Sequence, residues 1–191
     1  MTRLSTFLTI VSLSALLTGC FGDDADDAFV PKPIAYPRID LYPDSAVTDT
    51  IDGVSFKVNA SAILDRSGYN SADIYYPRYE AILYLAVNKN IPDLAAAEDG
   101  RRMRMSLNLS GSPAIQSTSV HGADSAVIVT AQTAIQTPVQ FMLVNRRYNA
   151  MVTGAFFMNG WTDTTPYDSI RPVIDALNGE CRRLVSSIVF H

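Results

Sequence analysis

Two hydrophobic periods alternate along the chain, and the points where one gives way to the other mark its elements. Asp52-Gly53 makes a turn into Val54-Ser55-Phe56-Lys57-Val58, whose strict alternation predicts a half-buried strand. Residues 64–71 hold neither period and read as loop. Residues 72–76 and 79–88 read as strand, divided by Pro77. In the second piece Tyr79, Ala81, Leu83, Leu85 and Val87 share one side, and Ile82, Tyr84 and Ala86 share the other. Both sides are apolar, so a central strand covered on both faces is expected.

Asn90-Ile91-Pro92-Asp93 then starts a helix over 93–107, with Ala96, Gly100, Met103 and Leu107 on one face. Arg101, Arg102 and Arg104 are expected outward or near its C-terminal end, where the helix dipole favours positive charge. After Gly111-Ser112-Pro113 the period falls to two, and 114–120, 126–133, 138–144 and 150–158 are expected as strands. Their short connections predict an antiparallel meander. The last element carries Ile170, Val173, Ile174, Leu177, Cys181, Leu184, Val185 and Ile188 at threes and fours, opposite Arg171, Asp175, Arg182 and Arg183. Asp168 or Ser169 is its expected cap, and Pro172 lies in its first turn. Asn178-Gly179 weakens its middle by about 1 kcal/mol relative to alanine. This order predicts a single α+β domain over 46–191, an antiparallel sheet of about five to six strands with two helices packed on it.

The start of the chain follows another pattern. Arg3 precedes an apolar run over 4–17, interrupted only by small hydroxyl residues, as in a bacterial export signal. The run is too short for a transmembrane helix. It closes on Leu17-Thr18-Gly19-Cys20, which resembles a lipobox: the signal over 1–19 is removed, and Cys20 takes a diacylglycerol on its thiol and a third acyl chain on its new amine. Each buried acyl CH₂ contributes about 0.8 kcal/mol, so two or three chains hold a protein at a bilayer almost permanently.

Residues 20–45 are then a tether and an arm. Asp23, Asp24, Asp26 and Asp27 form a charge run that cannot bury itself. The run resembles the signal that sends Bacteroidetes lipoproteins to the cell surface, and it serves equally as a solvated spacer that says nothing of leaflet. In Pro31-Lys32-Pro33-Ile34-Ala35-Tyr36-Pro37-Arg38-Ile39-Asp40-Leu41 three prolines exclude a helix and favour extended chain, with Tyr36, Ile39 and Leu41 as anchors onto the domain.

Composition narrows the chemistry. Hydrophobic content of 48% with 18% charged residues belongs to a globular protein. Loss of residues 1–19 removes only Arg3 from the charge count, taking the net charge from −4 to −5. An acidic chain without a basic cluster is a poor nucleic-acid binder. With Cys20 acylated, Cys181 is the one thiol left, so no internal disulfide forms and a small buried hydrophobe is its expected role. His121 and His191 are too few and too scattered for a His-based metal site. Ser119, His121 and Asp124 are expected to point different ways, and no Gly-x-Ser-x-Gly elbow occurs. Ser110-Gly111-Ser112-Pro113 lacks the lysine and following helix of a phosphate loop. No catalytic residue, metal or cofactor is therefore expected. Asp-Ser/Thr-apolar triplets resemble the O-glycosylation motif of exported Bacteroidetes proteins, with ordinary turn and cap chemistry as the alternative. Ser45 and Thr50 are the acceptors favoured, as residues of an exposed loop.

From Cys20 to nearly the last residue the chain resembles the gliding motility-associated lipoprotein GldD family of Bacteroidetes. The resemblance rests on the Cys20 to Asp24 start, the Pro31 to Leu41 arm, Tyr76-Pro77-Arg78-Tyr79 before the central strand, and Glu98-Asp99 in the helix. It continues through Val139-Gln140-Phe141, Gly154-Ala155-Phe156-Phe157 and the Asp168 to Pro172 helix entry, and departs over 64–70 and 161–167. It implies an accessory lipoprotein of the gliding and type IX secretion machinery, lipid-anchored in the envelope at the outer membrane through Cys20, with components of that machinery as partners and no catalytic residues. The element order also resembles the Mog1/PsbP-type α/β/α sandwich, which is fold analogy and transfers no function. From the residues alone, a lipid-anchored binding protein for a small molecule or glycan stays open. A deep cleft lined by Trp161 and tyrosines would favour that reading, and a closed core with an exposed apolar patch would favour docking.

Overall fold

A computed structural model describes residues 44–121, 124–160 and 165–191, all within the compact unit Arg38–His191. Cys20, the acidic run, the proline-rich arm and Trp161 lie outside the described residues. Two strands open the domain, β1 (Ala46–Ile51) and β2 (Val54–Asn59). Asp52 and Gly53 between them both take positive φ, 45° and 69°, which is the geometry of a two-residue type I′ hairpin turn. There follow β3 (Ile63–Gly68), β4 (Ser71–Tyr76), a 3-10 turn over Pro77–Tyr79, and β5 (Ala81–Asn88). Helix α1 (Leu94–Leu109) starts at Asp93, whose side chain accepts from the Ala96 amide at 2.9 Å. The meander is β6 (Ala114–His121), β7 (Asp124–Ala131), β8 (Val139–Asn145) and β9 (Ala150–Met158). Helix α2 (Tyr167–Ser186) and β10 (Val189–Phe190) close the chain.

These strands form two antiparallel sheets. The larger runs in the order β3-β4-β5-β9-β8-β7-β6, so the meander is joined to the earlier hairpins by β5 against β9. The smaller is β1-β2-β10. The main core lies between the inner face of the large sheet and a layer made by α2 and the small sheet. Leu83, Leu85, Phe141 and Phe156 meet Ile51 and Phe56 there, with Ile174, Leu177, Cys181 and Leu184 of α2. A smaller core lies on the outer face, where Met105 of α1 packs with Val127, Val129, Met142, Val144 and Met151.

The α+β class, the two helices and the antiparallel meander are those the sequence predicts, but among the described residues the strands number ten in two sheets rather than about five or six in one. Residues 64–71 are largely β3 and its hairpin, and Thr50 sits in β1 rather than in a loop. Helix α2 begins at Tyr167 with Pro166 before it, and neither Asp168 nor Ser169 is its cap. The arginines of α1 are not uniformly outward, since Arg101 is half-buried. The central strand β5 is covered on one face only: Ala81, Leu83, Leu85 and Val87 are buried, while Tyr84 stands exposed on the other.

Candidate docking surface

Helix α1 covers only part of the outer sheet face, resting against β7, β8 and the start of β9. Beside it, register carries one apolar row across four strands. Ile63 of β3 faces Tyr75 of β4, Tyr75 faces Ile82 of β5, and Ile82 faces Phe157 of β9. Tyr84 stands in the next row, its ring 6.2 Å from that of Phe157. Ile63 is 59% exposed and Tyr84 46% exposed, values that belong to an uncovered sheet face and not to a core. Toward the β3 edge the Tyr84 row is acidic: Asp73 faces Tyr84, and Asp65 faces Asp73. Like charges placed directly opposite are unfavourable and are relieved by a cation brought to them.

The attachment of α1 extends this surface. Its sheet-facing side is mixed: Met105, Leu94, Ala97 and Leu109 pack against the outer core, Arg101 Nη2 donates to the Gly154 carbonyl at 3.3 Å, and Asn108 Nδ2 donates to Gln140 Oε1 at 2.8 Å. Gln140, fully buried in β8, donates back to the Met105 carbonyl at 3.3 Å. Glu98 accepts from Arg102 at 2.8 Å and from Arg146 at 3.2 Å. Burial and the neighbouring Arg104 lower the pKa of Arg101 from its ordinary value. The face that the sequence marks as apolar is turned to solvent, with Met103 68% and Leu107 71% exposed beside Ala96 and Gly100.

The other residues singled out from sequence are placed as follows. Ser45 is exposed just before β1, its carbonyl accepting from the Ala60 amide at 3.0 Å. Thr50 is exposed on β1, with its hydroxyl 2.8 Å from that of Ser55. Cys181 is fully buried in α2, and burial pushes its thiol up to about 12, which keeps it protonated and unreactive. Ser119 and Asp124 line one open cleft of about 410 Å³ with Arg182 and Ser186, so those two do not diverge as expected; the side chain of His121 lies outside the described residues. Asp124 is taken by Asn145, whose amide donates to it. Among the described residues no group of three His, Cys, Asp or Glu side chains could hold a metal ion. Glu180 and Gln140 are buried polar residues that pattern reading missed, although Glu180 announces itself as an acid inside an apolar stripe.

The sequence model of the gliding motility lipoprotein GldD family matches residues 26–190. The chain belongs to that family. The match begins beyond Cys20, and it spans every element described above. No curated protein matches the chain. Among solved structures the fold is similar to that of the Ran-binding protein Mog1p of Saccharomyces cerevisiae, with a TM-score of 0.50 at 8% identity over 76% of this chain and 96% of that one. At that identity the likeness concerns fold alone. No helix among the described residues is long and apolar enough to cross a membrane.

Proposed function

We propose that this chain is a non-enzymatic docking lipoprotein of the gliding motility and type IX secretion machinery, held at the outer membrane through acylated Cys20. The observation that carries the reading is the open outer face. Ile63, Tyr75, Ile82 and Phe157 form an apolar row with Tyr84 beside it; Ile63, Tyr75 and Tyr84 are exposed and Ile82 and Phe157 half-buried, next to a helix whose Met103 and Leu107 also face outward. Family membership supplies the setting. Anchoring by lipid raises the effective concentration near membrane partners, so the row needs only modest affinity. A ligand-binding role is less well supported, because Tyr75 and Tyr84 stand on an open sheet face while Tyr76 and Tyr79 are packed in the core.

Two variants made in a gliding host test this. Tyr75→Lys with Tyr84→Lys alters exposed positions, sets a lysine opposite Asp73, and leaves the lipoprotein folded and abundant. Gliding is expected to fail, and crosslinked pull-down from native membranes is expected to lose secretion-machinery components that the wild type recovers. Unchanged gliding and recovery overturn the docking reading. Cys20→Ala is expected to abolish palmitate labelling and release the protein from membranes; equal labelling of both forms overturns the anchor.

A further inference from the structure

The two edges of the large sheet are built differently. At β3 the register shifts between Asp65 and Gly68, and Arg66 folds over the edge to an ion pair with Asp49 and a hydrogen bond to the Thr50 carbonyl at 3.0 Å. Bulges and charges of this kind block pairing with another strand. At the opposite edge, β6 pairs with β7 without interruption from Ala114 opposite Ala131 to His121 opposite Asp124. No strand among the described residues pairs with its other side. Its sequence, Ala-Ile-Gln-Ser-Thr-Ser-Val-His, holds no proline, lysine, arginine, aspartate or glutamate. Along 114–120 every residue is exposed except Ser117, which is half-buried. Among the described residues this edge has no proline, charge or bulge to guard it.

We propose that β6 is a pairing edge whose occupant is β6 of a second copy of this chain, joined antiparallel about a twofold axis perpendicular to the sheet. An unpaired row of backbone amides and carbonyls is solvated in a single chain, and the protein element that matches the whole row is another extended strand. The strand's lack of charge suits pairing with its own copy, because a charged residue at the twofold axis would face its own image. Here no antiparallel register brings Asp, Glu, Lys or Arg of one β6 opposite the other. The guarded β3 edge then ends the assembly at two chains, giving a closed dimer rather than a filament. Arg182, which donates to the Ser117 hydroxyl at 3.3 Å, approaches from the sheet's face and leaves the backbone row clear. The contact is that of single strands, so it suits a protein concentrated by a lipid anchor.

The test uses the full lipoprotein extracted in mild detergent, followed by sedimentation equilibrium over a concentration series, and bis-maleimide crosslinking in intact cells. Wild type is expected to show a concentration-dependent dimer. Thr118→Cys is expected to crosslink to its own copy, whereas Ser67→Cys, on the β3 edge, stays single; Cys181 is buried and does not compete. Gln116→Lys with Thr118→Lys changes two exposed residues and is expected to weaken the dimer at least about tenfold with an unchanged melting curve. Wild type that stays monomeric at every concentration with no Thr118→Cys crosslink overturns the proposal and leaves the edge to a strand of a different protein. A dimer that ignores both lysines overturns it as well, by placing the interface elsewhere.

Discussion

Helix α2 turns Ile174, Leu177, Cys181 and Leu184 into the main core, whereas α1 turns Met103 and Leu107 to solvent and meets the sheet through Arg101, Asn108 and Met105. The first is held by buried hydrocarbon, at roughly 25 cal/mol for each Å² removed from water. The second is held by less: Met105 with the partly buried Leu94, Ala97 and Leu109, and a few hydrogen bonds, each worth about 0.5–1.5 kcal/mol net. A helix with apolar residues on both sides keeps one of those sides available. The difference separates an inner face that makes the fold from an outer face free to contact something else.

The largest effect should separate the two helices directly. Leu177→Ala empties a fully buried site in α2 and is expected to cost about 2–5 kcal/mol in denaturant unfolding. Leu107→Ala in α1 is expected to stay within about 0.5 kcal/mol of wild type. Equal costs would break the comparison. Next is Gly154, at the centre of β9, where an added methyl would run into the Phe141 ring opposite it. Gly154→Ala is expected to cost about 1–3 kcal/mol by overpacking the inner face. Phe141→Leu in the same chain should recover part of that loss, and no recovery would place the strain elsewhere.

The inner face was legible because its signals are local and periodic: the α2 stripe and the alternation of β5 can be read without knowing what they pack against. The outer face was not. The two-sided apolar pattern of β5 predicted a cover that the described residues do not supply, and the Ala96-Gly100-Met103-Leu107 stripe predicted a core that lies on the other side of the helix. Periodicity reports which residues share a face, not which face wins when a polar clamp such as Gln140 with Asn108 competes. Strand β1 was missed although Asp52-Gly53 is a hairpin turn and demands strands on both sides. Strand β3 was missed because Asp65, Arg66 and Gly68, which guard its edge, also erase its alternation.

The clamp itself gives the third test. Gln140→Leu removes the donor to Met105 and the acceptor for Asn108 while keeping the site filled. It is expected to cost about 1–2 kcal/mol, read as faster hydrogen exchange of α1 amides with α2 amides unchanged. Exchange that quickens equally in both helices would mean that α1 is held by the global fold and not by this contact.

The smallest effect lies in the exception within α2. Glu180 is only 4% exposed, yet it is an acid; it accepts from Arg183 Nη2 at 2.6 Å, and Arg183 Nη1 reaches Asp44 at 2.7 Å. Burial raises its pKa, Arg183 pulls it down, and Asp44 pushes it up, with burial the largest effect and the net direction upward from 4.5. A carboxyl raised in the folded state binds more protons folded than unfolded. Its contribution is therefore full below 4.5 and lost as pH rises through the folded value. Against Glu180→Gln, wild-type stability should fall as pH rises from about 4 to about 8, by about 1 kcal/mol or less because Arg183 offsets part of the burial cost. Parallel stability curves for the two proteins would show that the ion pair cancels burial completely, and that even the inner helix carries a polar clamp as well satisfied as the one beneath α1.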